Sequence, residues 1–254
     1  MNLNKYKVPF EARPSDASIA LKKEILHSDF LPYELASTIH REQTPFLDSI
    51  TRDSEGSYLI QCKTVMPKVT PKMIDWWFAW HMPESERYKL WHPRDHVSSK
   101  LLVDTSRFLT NKEKYIGIDS FVTEYIGGEL SKLCISFKEP SLFGFDNLQE
   151  DNETAVCAQV VDTSRHIEIG SLTHYVKKSD HGSIMQSSFW LGKDSQHQNP
   201  ILNLLIKPLL RMKTIKSFLL TDRLVCDLYI HCSEEMNHLS KFLPELYAEV
   251  NGLK

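Results

Sequence analysis

The chain has 254 residues, of which 41% are hydrophobic and 25% charged, and its formal net charge is -3 at pH 7. These values are typical of a globular protein with one sizeable core, and the lack of a basic excess argues against nucleic acid as a partner. No apolar run approaches the ~20 residues of a membrane span, and the first residues lack the apolar core of a secretory signal. We therefore expect a cytoplasmic protein with no membrane partner.

Residues 1–50 are rich in proline, serine and charge, and we expect them to form a small N-terminal helical or extended region. One helix is predicted there, over the segment DASIALKKEIL, because Asp16 or Ser18 could cap it and apolar residues recur on one face. Residues 51–254 are predicted to form the main domain.

The main domain is predicted to open with a strand and two helices. The segment SYLIQCKTVMP, from Ser57, is typical of a strand closed by Pro67, and TPKMIDWWFAWH then offers a Thr cap and a proline at the first helical position. A second short helix, PESERYKLW, is expected to end before the following His-Pro pair. These two helical segments hold four of the chain's five tryptophans.

Several strand-like runs follow between residues 114 and 192. The first two runs meet at Gly127-Gly128 and the last two meet at the segment SDHG, and both junctions are hairpin signals. The runs therefore predict one antiparallel sheet.

The end of the chain is predicted to be helical from about Ile201 to Phe242, with Pro208 at a start or kink and Pro244 at a break. A sheet followed by one long C-terminal helix, with two helices inserted after the first strand, predicts an α+β fold of the helix-grip type (Bet v 1/START-like). In this architecture a curved antiparallel sheet surrounds the helix, and a ligand is expected in the apolar cavity between them.

Two polar residues, His231 and Glu235, lie at the edge of the apolar arc of the last predicted helix. Because they are four residues apart, both side chains lie on one face and could bind one ion. An ordinary surface pair has the same spacing. Burial of an unpaired carboxylate, however, costs several kcal/mol, and a metal ion removes that cost. The neighbouring residues Asp227 and His238 are expected to face solvent.

The predicted sheet contains similar polar residues on apolar faces. In SFVTEYIG, alternation puts Glu124 on the apolar side, and in SLTHYV it does the same for His174. If these faces are the inner ones, a carboxylate and an imidazole point into the cavity. Two alternatives stay open, since Glu124 could face outward and His174 could be a hydrogen-bonded core residue.

These motifs together resemble a known family. The run MPKVTPKMIDWWFAWH, then YKLWHPRDH, a late SSFWLG and a C-terminal H-x-x-x-E are similar to the 2,4-diacetylphloroglucinol hydrolase and phloretin hydrolase family, over about Tyr58 to Glu235. The resemblance implies a helix-grip catalytic domain that binds Zn²⁺ and hydrolyses the carbon–carbon bond between an acyl group and a phenolic ring. It also implies a small phenolic ketone as substrate and a homodimer.

The resemblance implies a zinc site made of two histidines and two glutamates. Its motif ends at Asp95-His96 and so places the first ligand on His96, while His92 occupies a variable place. The strand-borne glutamate fits Glu124 by its inward phase, and Glu129, beyond the Gly-Gly turn, fits less well. The predicted metal ligands are therefore His96, Glu124, His231 and Glu235.

The resemblance also implies two catalytic residues, Tyr88 before the first ligand and His174 on a later strand. We expect the aromatic residues to form the wall of the substrate site. The family has a second active-site tyrosine on the SSFWLG strand, where this chain has phenylalanine and tryptophan, so the native substrate stays open. The predicted substrate-binding residues are Trp76, Trp77, Trp80, Phe189 and Trp190.

Two other functions are compatible with the sequence. One is a helix-grip carrier of an apolar or aromatic ligand, which needs no metal. The other is a zinc hydrolase of different substrates, such as esters. Metal analysis distinguishes the carrier from the enzyme, and paired assays on an aryl ester and an acylphloroglucinol distinguish the two hydrolases.

Overall fold

The structure is a computed structural model that describes residues 2–10, 24–42 and 46–253. Within these residues, one sheet and a long C-terminal helix dominate the architecture. The strands are β1 (Leu26–His27), β2 (Ser49–Arg52), β3 (Tyr58–Pro67), β4 (His96–Leu101), β5 (Asp119–Ile126), β6 (Glu129–Lys138), β7 (Glu153–Asp162), β8 (Ile167–Ser179) and β9 (Gly182–His197). The helices are α1 (Ala36–Glu42), α2 (Pro71–His81), α3 (Ser85–Trp91), α4 (Pro200–Leu210), α5 (Lys213–Leu219) and α6 (Asp222–Val250).

The sheet has the strand order β1-β2-β3-β9-β8-β7-β6-β5-β4. All neighbours are antiparallel except the two-residue strand β1, which pairs in parallel with β2. The predicted hairpins are confirmed at the β5–β6 and β8–β9 turns. Gly127 and Gly128 both have positive φ, as a tight hairpin requires, and a Cβ on Gly127 would lie 2.1 Å from the Asp227 carboxylate.

Helix α6 packs against β3 and also against β5, which are five positions apart in the sheet. In a flat sheet those strands would be about 24 Å apart, at ~4.8 Å per strand, whereas a helix is only about 10 Å wide. The sheet must therefore curve around α6. This geometry, with α2 packed on β7 and β8, confirms the predicted α+β helix-grip fold.

The predicted break at Pro244 is wrong, because α6 continues to Val250. Proline removes one backbone hydrogen bond from a helix interior. Leu243 and Leu246, on either side of it, are completely buried, and this packing holds the last turns in the helix. Pro208 likewise lies inside α4.

The insertion between β3 and β4 has the predicted local structure. Thr70 Oγ1 accepts a hydrogen bond from the Met73 amide, and Pro71 occupies the first turn of α2. Helix α3 ends at Trp91, before the His-Pro pair.

Most of the predicted N-terminal helix DASIALKKEIL lies outside the described residues, and its last residue, Leu26, begins β1. The predicted boundary between residues 50 and 51 falls inside β2, which joins the main sheet. Helix α1 contributes to a second apolar cluster on the outer face of that sheet. Among the described helices, none combines the length and the apolar character needed to cross a bilayer.

Candidate metal centre

A cavity lies between the inner face of the sheet and α6. Its apolar lining consists of Phe78, Trp91, Val122, Ile135, Phe137, Leu172, Phe189 and Leu228. Its polar lining consists of His81, Tyr88, Ser120, Glu124, His174, His231 and Glu235.

Four buried ligand atoms converge beside this cavity. His96 Nε2 lies 3.3 Å from His231 Nε2, 3.5 Å from Glu235 Oε2 and 3.7 Å from Glu124 Oε2. His231 Nε2 lies 3.9 Å from Glu235 Oε2. Four ligands at zinc bond lengths of about 2.0–2.1 Å in a tetrahedron are separated by about 3.4 Å, and the separations from His96 Nε2 are close to that value. His96, Glu124 and His231 form one group whose ligand atoms all lie within 4.8 Å of one another.

The fold explains why these four side chains meet. His96 opens β4 and is paired across the strands with Glu124 on β5. His231 and Glu235 are one turn apart on α6, and α6 packs against β5. The structure therefore brings together the four predicted ligands, whereas Glu129 is exposed at the start of β6.

Hydrogen bonding fixes the His96 ring with its Nε2 towards the other three ligand atoms. His96 Nδ1–H donates to the Tyr88 carbonyl at 3.1 Å, which leaves the Nε2 lone pair free. The Tyr88 ring stacks on the imidazole, with centroids 3.8 Å apart and planes 4° from parallel. Burial lowers the pKa of His96 well below its usual range, so the ring is neutral and able to bind a metal.

His231 is held from behind by Asp95, whose Oδ2 lies 3.3 Å from His231 Nδ1. Burial alone would lower the pKa of His231, but the hydrogen bond to Asp95 and the charges of Glu235 and Glu124 raise it to about 9. Burial also raises the pKa of Glu235 well above its usual range. Two buried carboxylates beside two imidazoles call for a positive charge, which either a proton or a divalent cation supplies.

A second group of potential ligands, made of His92, Asp95 and His231, has a different chemistry. His92 Nδ1 accepts a hydrogen bond from the Asp95 amide at 3.2 Å, so in the neutral ring Nε2 carries the proton. That nitrogen lies 3.4 Å from Asp95 Oδ2 and 3.5 Å from Glu234 Oε2. In this tautomer His92 Nε2 has no lone pair to offer a metal, and the hydrogen bonds of the group are those from the Asp95 amide to His92 and between His231 and Asp95.

Both predicted catalytic residues line the cavity. The Tyr88 hydroxyl donates to Glu124 Oε2, and burial together with that carboxylate raises the pKa of Tyr88 well above its usual range. His174 Nδ1 lies 2.8 Å from Ser187 Oγ, and burial lowers the pKa of His174 to about 3. At neutral pH the site therefore presents a phenol and an uncharged imidazole.

Of the aromatic residues predicted to form the wall of the substrate site, the two on β9 face opposite sides of the sheet. Phe189 lines the cavity, but Trp190, its neighbour on β9, points to the outer face, where its Nε1 donates to the Leu31 carbonyl at 2.9 Å. Alternation along a strand makes such neighbours face opposite sides.

The three tryptophans of α2 do not line the cavity either. Trp77 is completely buried in the core, against Trp91 and Phe242. Trp76 and Trp80 stack on each other, with centroids 5.1 Å apart, and line a separate groove.

Sequence reasoning missed two residues of α2 that do line the cavity, Phe78 and His81. They are three residues apart, so they share one face of the helix. Their spacing would have identified them in the sequence if the side of α2 that faces the cavity had been known. Trp91, which closes α3, and Asp95 were also not assigned.

His238, expected to face solvent, is completely buried. Its ring lies 5.1 Å from that of Phe10, because the described N-terminal residues cover this side of α6. Glu234 is half-buried and pairs with Arg94 at 2.8 Å. Asp227 stays partly exposed, near Arg223.

Residues 34–248 match the family model described as the DAPG hydrolase PhiG domain. Phloretin hydrolase from Eubacterium ramulus is 32% identical over 207 residues, which cover 77% of this chain and 69% of that protein. The 2,4-diacetylphloroglucinol hydrolase from Pseudomonas protegens is 31% identical over 199 residues, which cover 75% of this chain and 64% of that protein. The chain thus spans about two thirds of the length of these relatives.

Among solved structures, the major latex-like protein 151 from Panax ginseng is similar, with 13% identity and a TM-score of 0.35. The match covers 64% of this chain and 97% of that chain. The fold assignment rests on the strand order and on the position of α6.

Proposed function

This chain belongs to the DAPG hydrolase family, and on that premise we propose that it is a zinc-dependent hydrolase of acyl-substituted phenols. The reaction is R–CO–Ar + H₂O → R–COOH + Ar–H, so the bond that breaks joins the acyl carbon to the ring. The convergence of buried donor atoms beside an aromatic-lined cavity carries the proposal: three of them lie 3.3–3.7 Å from His96 Nε2, and His231 Nε2 lies 3.9 Å from Glu235 Oε2. The names of the two hydrolases to which the chain is similar support the substrate class.

The zinc would be held by His96, Glu124, His231 and Glu235. When bound, zinc lowers the pKa of water towards 7 and polarises a carbonyl oxygen. The remaining functions fall to the chain's own side chains.

The apolar wall binds the ring of the substrate and excludes water from it. Phe78, Phe137 and Phe189 supply flat apolar surface on this wall. A dry wall also strengthens the polar interactions made by the few donors inside it.

The departing ring must receive a proton at carbon, because the bonding electron pair stays with it. Phenolic oxygens on the ring can take up that charge if donors face them. Tyr88 keeps its proton at neutral pH and lines the cavity, and we assign its hydroxyl to turn from Glu124 Oε2 to a substrate oxygen when Glu124 binds the metal. His174, neutral and on the same cavity, is assigned to hold a second oxygen or to transfer the proton.

The experiment is metal analysis of the purified protein together with assays on two substrates. We expect about one tightly held zinc per chain, and faster hydrolysis of an acylphloroglucinol than of an aryl ester. A metal-free protein that binds aromatic ligands without turnover would identify a carrier. Preference for the ester would identify a zinc hydrolase of a different substrate class.

We also propose a homodimer located in the cytoplasm. Five free cysteines support a reducing compartment.

An apolar surface on α4 and α5 supports self-association, because several of its large side chains are more than half exposed. These are Ile201, Leu204, Leu205, Leu209 and Phe218.

Light scattering tests the dimer. The parental protein should have twice the mass of one chain, and the double substitution Leu204→Glu, Phe218→Glu should produce a monomer. A matched change on a different exposed apolar residue, Leu109→Glu, should leave the dimer intact. A monomeric parental protein contradicts the dimer and leaves the proposed activity unaffected.

A further inference from the structure

Residues 92–96 form a short segment that ends in the proposed ligand His96. This segment also contacts His231, the other proposed histidine ligand, on the side of its ring that faces away from the metal site. His231 directs Nε2 towards the three other ligand atoms and Nδ1 towards Asp95 Oδ2, at 3.3 Å. Asp95 immediately precedes His96, so one short stretch of chain supplies a ligand and the acceptor behind another ligand. The two ligands come from β4 and from α6, far apart in sequence.

His92 is completely buried, and the proposed reaction gives it no role. Its ring stacks on His231, with centroids 4.7 Å apart and planes 7° from parallel. Its protonated Nε2 lies between two carboxylate oxygens, 3.4 Å from Asp95 and 3.5 Å from Glu234. His92 therefore packs on the His231 ring and contacts Asp95, whose amide donates to His92 Nδ1 at 3.2 Å.

Further contacts fix this segment. Arg94 pairs with Glu234 at 2.8 Å, the Tyr125 amide donates to the Asp95 carbonyl at 2.9 Å, and the Arg94 guanidinium lies 3.9 Å from the centre of the Phe10 ring. The segment is thus joined to α6, to β5 and to the N-terminal residues, and the position of Asp95 is set by backbone as well as side-chain bonds.

We propose that Asp95 is the positioning residue of the metal centre, and that His92, which accepts a hydrogen bond from the Asp95 amide, holds Asp95 in place. The inference rests on the proposed function, since it takes His231 as a metal ligand. Asp95 Oδ2 accepts the proton of His231 Nδ1, which fixes the tautomer whose Nε2 lone pair faces the metal and also fixes the angle of the ring. Removal of such a carboxylate typically lowers metal affinity about 10- to 100-fold.

The test is zinc affinity, measured by competition with a chromophoric chelator on metal-free protein. We expect Asp95→Ala to raise the zinc dissociation constant about 10- to 100-fold. Asp95→Asn keeps an oxygen acceptor and the side-chain size, and it should recover part of the affinity. Glu129→Ala, the exposed glutamate at the β5–β6 turn, is the control and should bind zinc like the parental protein.

Two measurements distinguish positioning of His231 by Asp95 from a general effect of Asp95 on the fold: the visible absorption of the Co²⁺-loaded protein and the unfolding temperature of the metal-free protein. The visible spectrum of the Co²⁺-loaded Asp95→Asn protein should differ from that of the parental protein, because the His231 ring is reoriented. Metal-free Asp95→Asn, which keeps an acceptor for His231, should unfold within a few degrees of the parental protein, whereas metal-free Asp95→Ala removes the partner of a buried imidazole and should be less stable.

Parental zinc affinity in Asp95→Ala would overturn the inference while leaving the zinc site intact. An unchanged cobalt spectrum together with a loss of metal-free stability in Asp95→Asn would also overturn it, since Asp95 would then be structural. A parental protein that binds no zinc overturns the proposed function itself, and the two failures are therefore distinguishable.

Discussion

His92 and His96 are four residues apart, and hydrogen bonding gives their rings different roles. His96 donates through Nδ1 and directs its free Nε2 towards the other ligands, whereas His92 accepts at Nδ1 and keeps the proton on Nε2. The sequence alone could not separate them by residue type, and only alignment to the family motif favoured His96. In the structure the tautomers provide an independent physical reason.

We expect His96→Ala to lose bound zinc, because it removes one of the converging donors. His92→Ala should keep one zinc per chain with an affinity reduced by about tenfold, since only the support behind His231 is lost. Metal analysis after exhaustive dialysis, followed by chelator competition, measures both. If His92→Ala loses zinc while His96→Ala keeps it, the ligand assignment is wrong.

We expect substitution of Phe189 to change the range of substrates that the protein accepts. Its ring lines the cavity, 5.8 Å from the His174 ring, at a strand where the family resemblance implies a tyrosine. A site without a hydroxyl donor discriminates weakly against substrates that lack the matching group. The parental protein should therefore accept monoacylated and less hydroxylated aryl ketones.

Phe189→Tyr should shift kcat/KM towards 2,4-diacetylphloroglucinol relative to monoacetylphloroglucinol and a monohydroxyacetophenone. One added hydrogen bond predicts a change of about fivefold, at about 1 kcal/mol per bond. Trp190→Tyr, on the outer face of the same strand, is the control. A strong parental preference for the diacetyl compound that Phe189→Tyr leaves unchanged would show that position 189 does not contact the ring.

At the scale of elements, the features predicted correctly are those set by neighbouring residues. The Thr70 cap with Pro71, the Gly127-Gly128 turn and the spacing of His231 and Glu235 each depend on no more than five consecutive residues. The sequence could not show that Trp190 faces away from the cavity, because the sheet has apolar clusters on both faces and hydrophobicity along β9 therefore does not mark the inner side. The direction of Phe189 and Trp190 depends on which face α6 covers.

Pro244 shows how tertiary packing overrides a local breaker. It lies inside α6, between buried leucines, and it denies the Ser240 carbonyl its usual backbone donor. Proline in a helix interior costs about 3 kcal/mol relative to alanine. This cost makes the last two turns of α6 a site for stabilisation.

Pro244→Ala should raise the free energy of unfolding by about 1–3 kcal/mol, with the upper value reached only if the surrounding packing is unchanged. Urea unfolding of the metal-free protein measures this change. Glu245→Ala, the exposed neighbour in the same turn, should alter stability by less than about 0.5 kcal/mol. A lower stability for Pro244→Ala would mean that α6 needs the bend that proline imposes.

At the scale of the whole molecule, the antiparallel sheet and its wrapping around the long C-terminal helix were predicted from the element pattern, but the contacts between distant segments were not. The burial of His238 depends on the N-terminal residues that cover α6, and the role of Asp95 depends on the approach of α6 to β4. Both depend on contacts between residues more than 100 positions apart in sequence, which a local sequence pattern does not predict.

The same long-range packing buries several uncharged histidines, and acid should therefore destabilise the whole fold. His40 belongs to this set and is not one of the predicted metal ligands: it lies on α1, with its Nδ1 3.3 Å from Gln186 Oε1 and its ring stacked on Phe46. Burial lowers the pKa of His40 to about 3, and the Gln186 hydrogen bond only partly opposes the shift. Above pH 6.5 the ring is neutral in both the folded and the unfolded chain, so it adds no pH dependence there.

Between pH 6.5 and pH 3 the unfolded chain takes up a proton on this ring and the folded protein does not, so the free energy of unfolding falls as pH falls. The loss amounts to about 2 kcal/mol at pH 5 for each such histidine.

His40→Gln removes the titrating group while keeping a polar side chain of similar size. Relative to its own value at pH 8, the variant should therefore lose about 2 kcal/mol less stability at pH 5 than the parental protein does. Urea unfolding at the two pH values gives this difference directly, with the exposed His181→Gln as the control. Equal losses in the parental protein and in His40→Gln would show that the folded protein admits a proton at position 40.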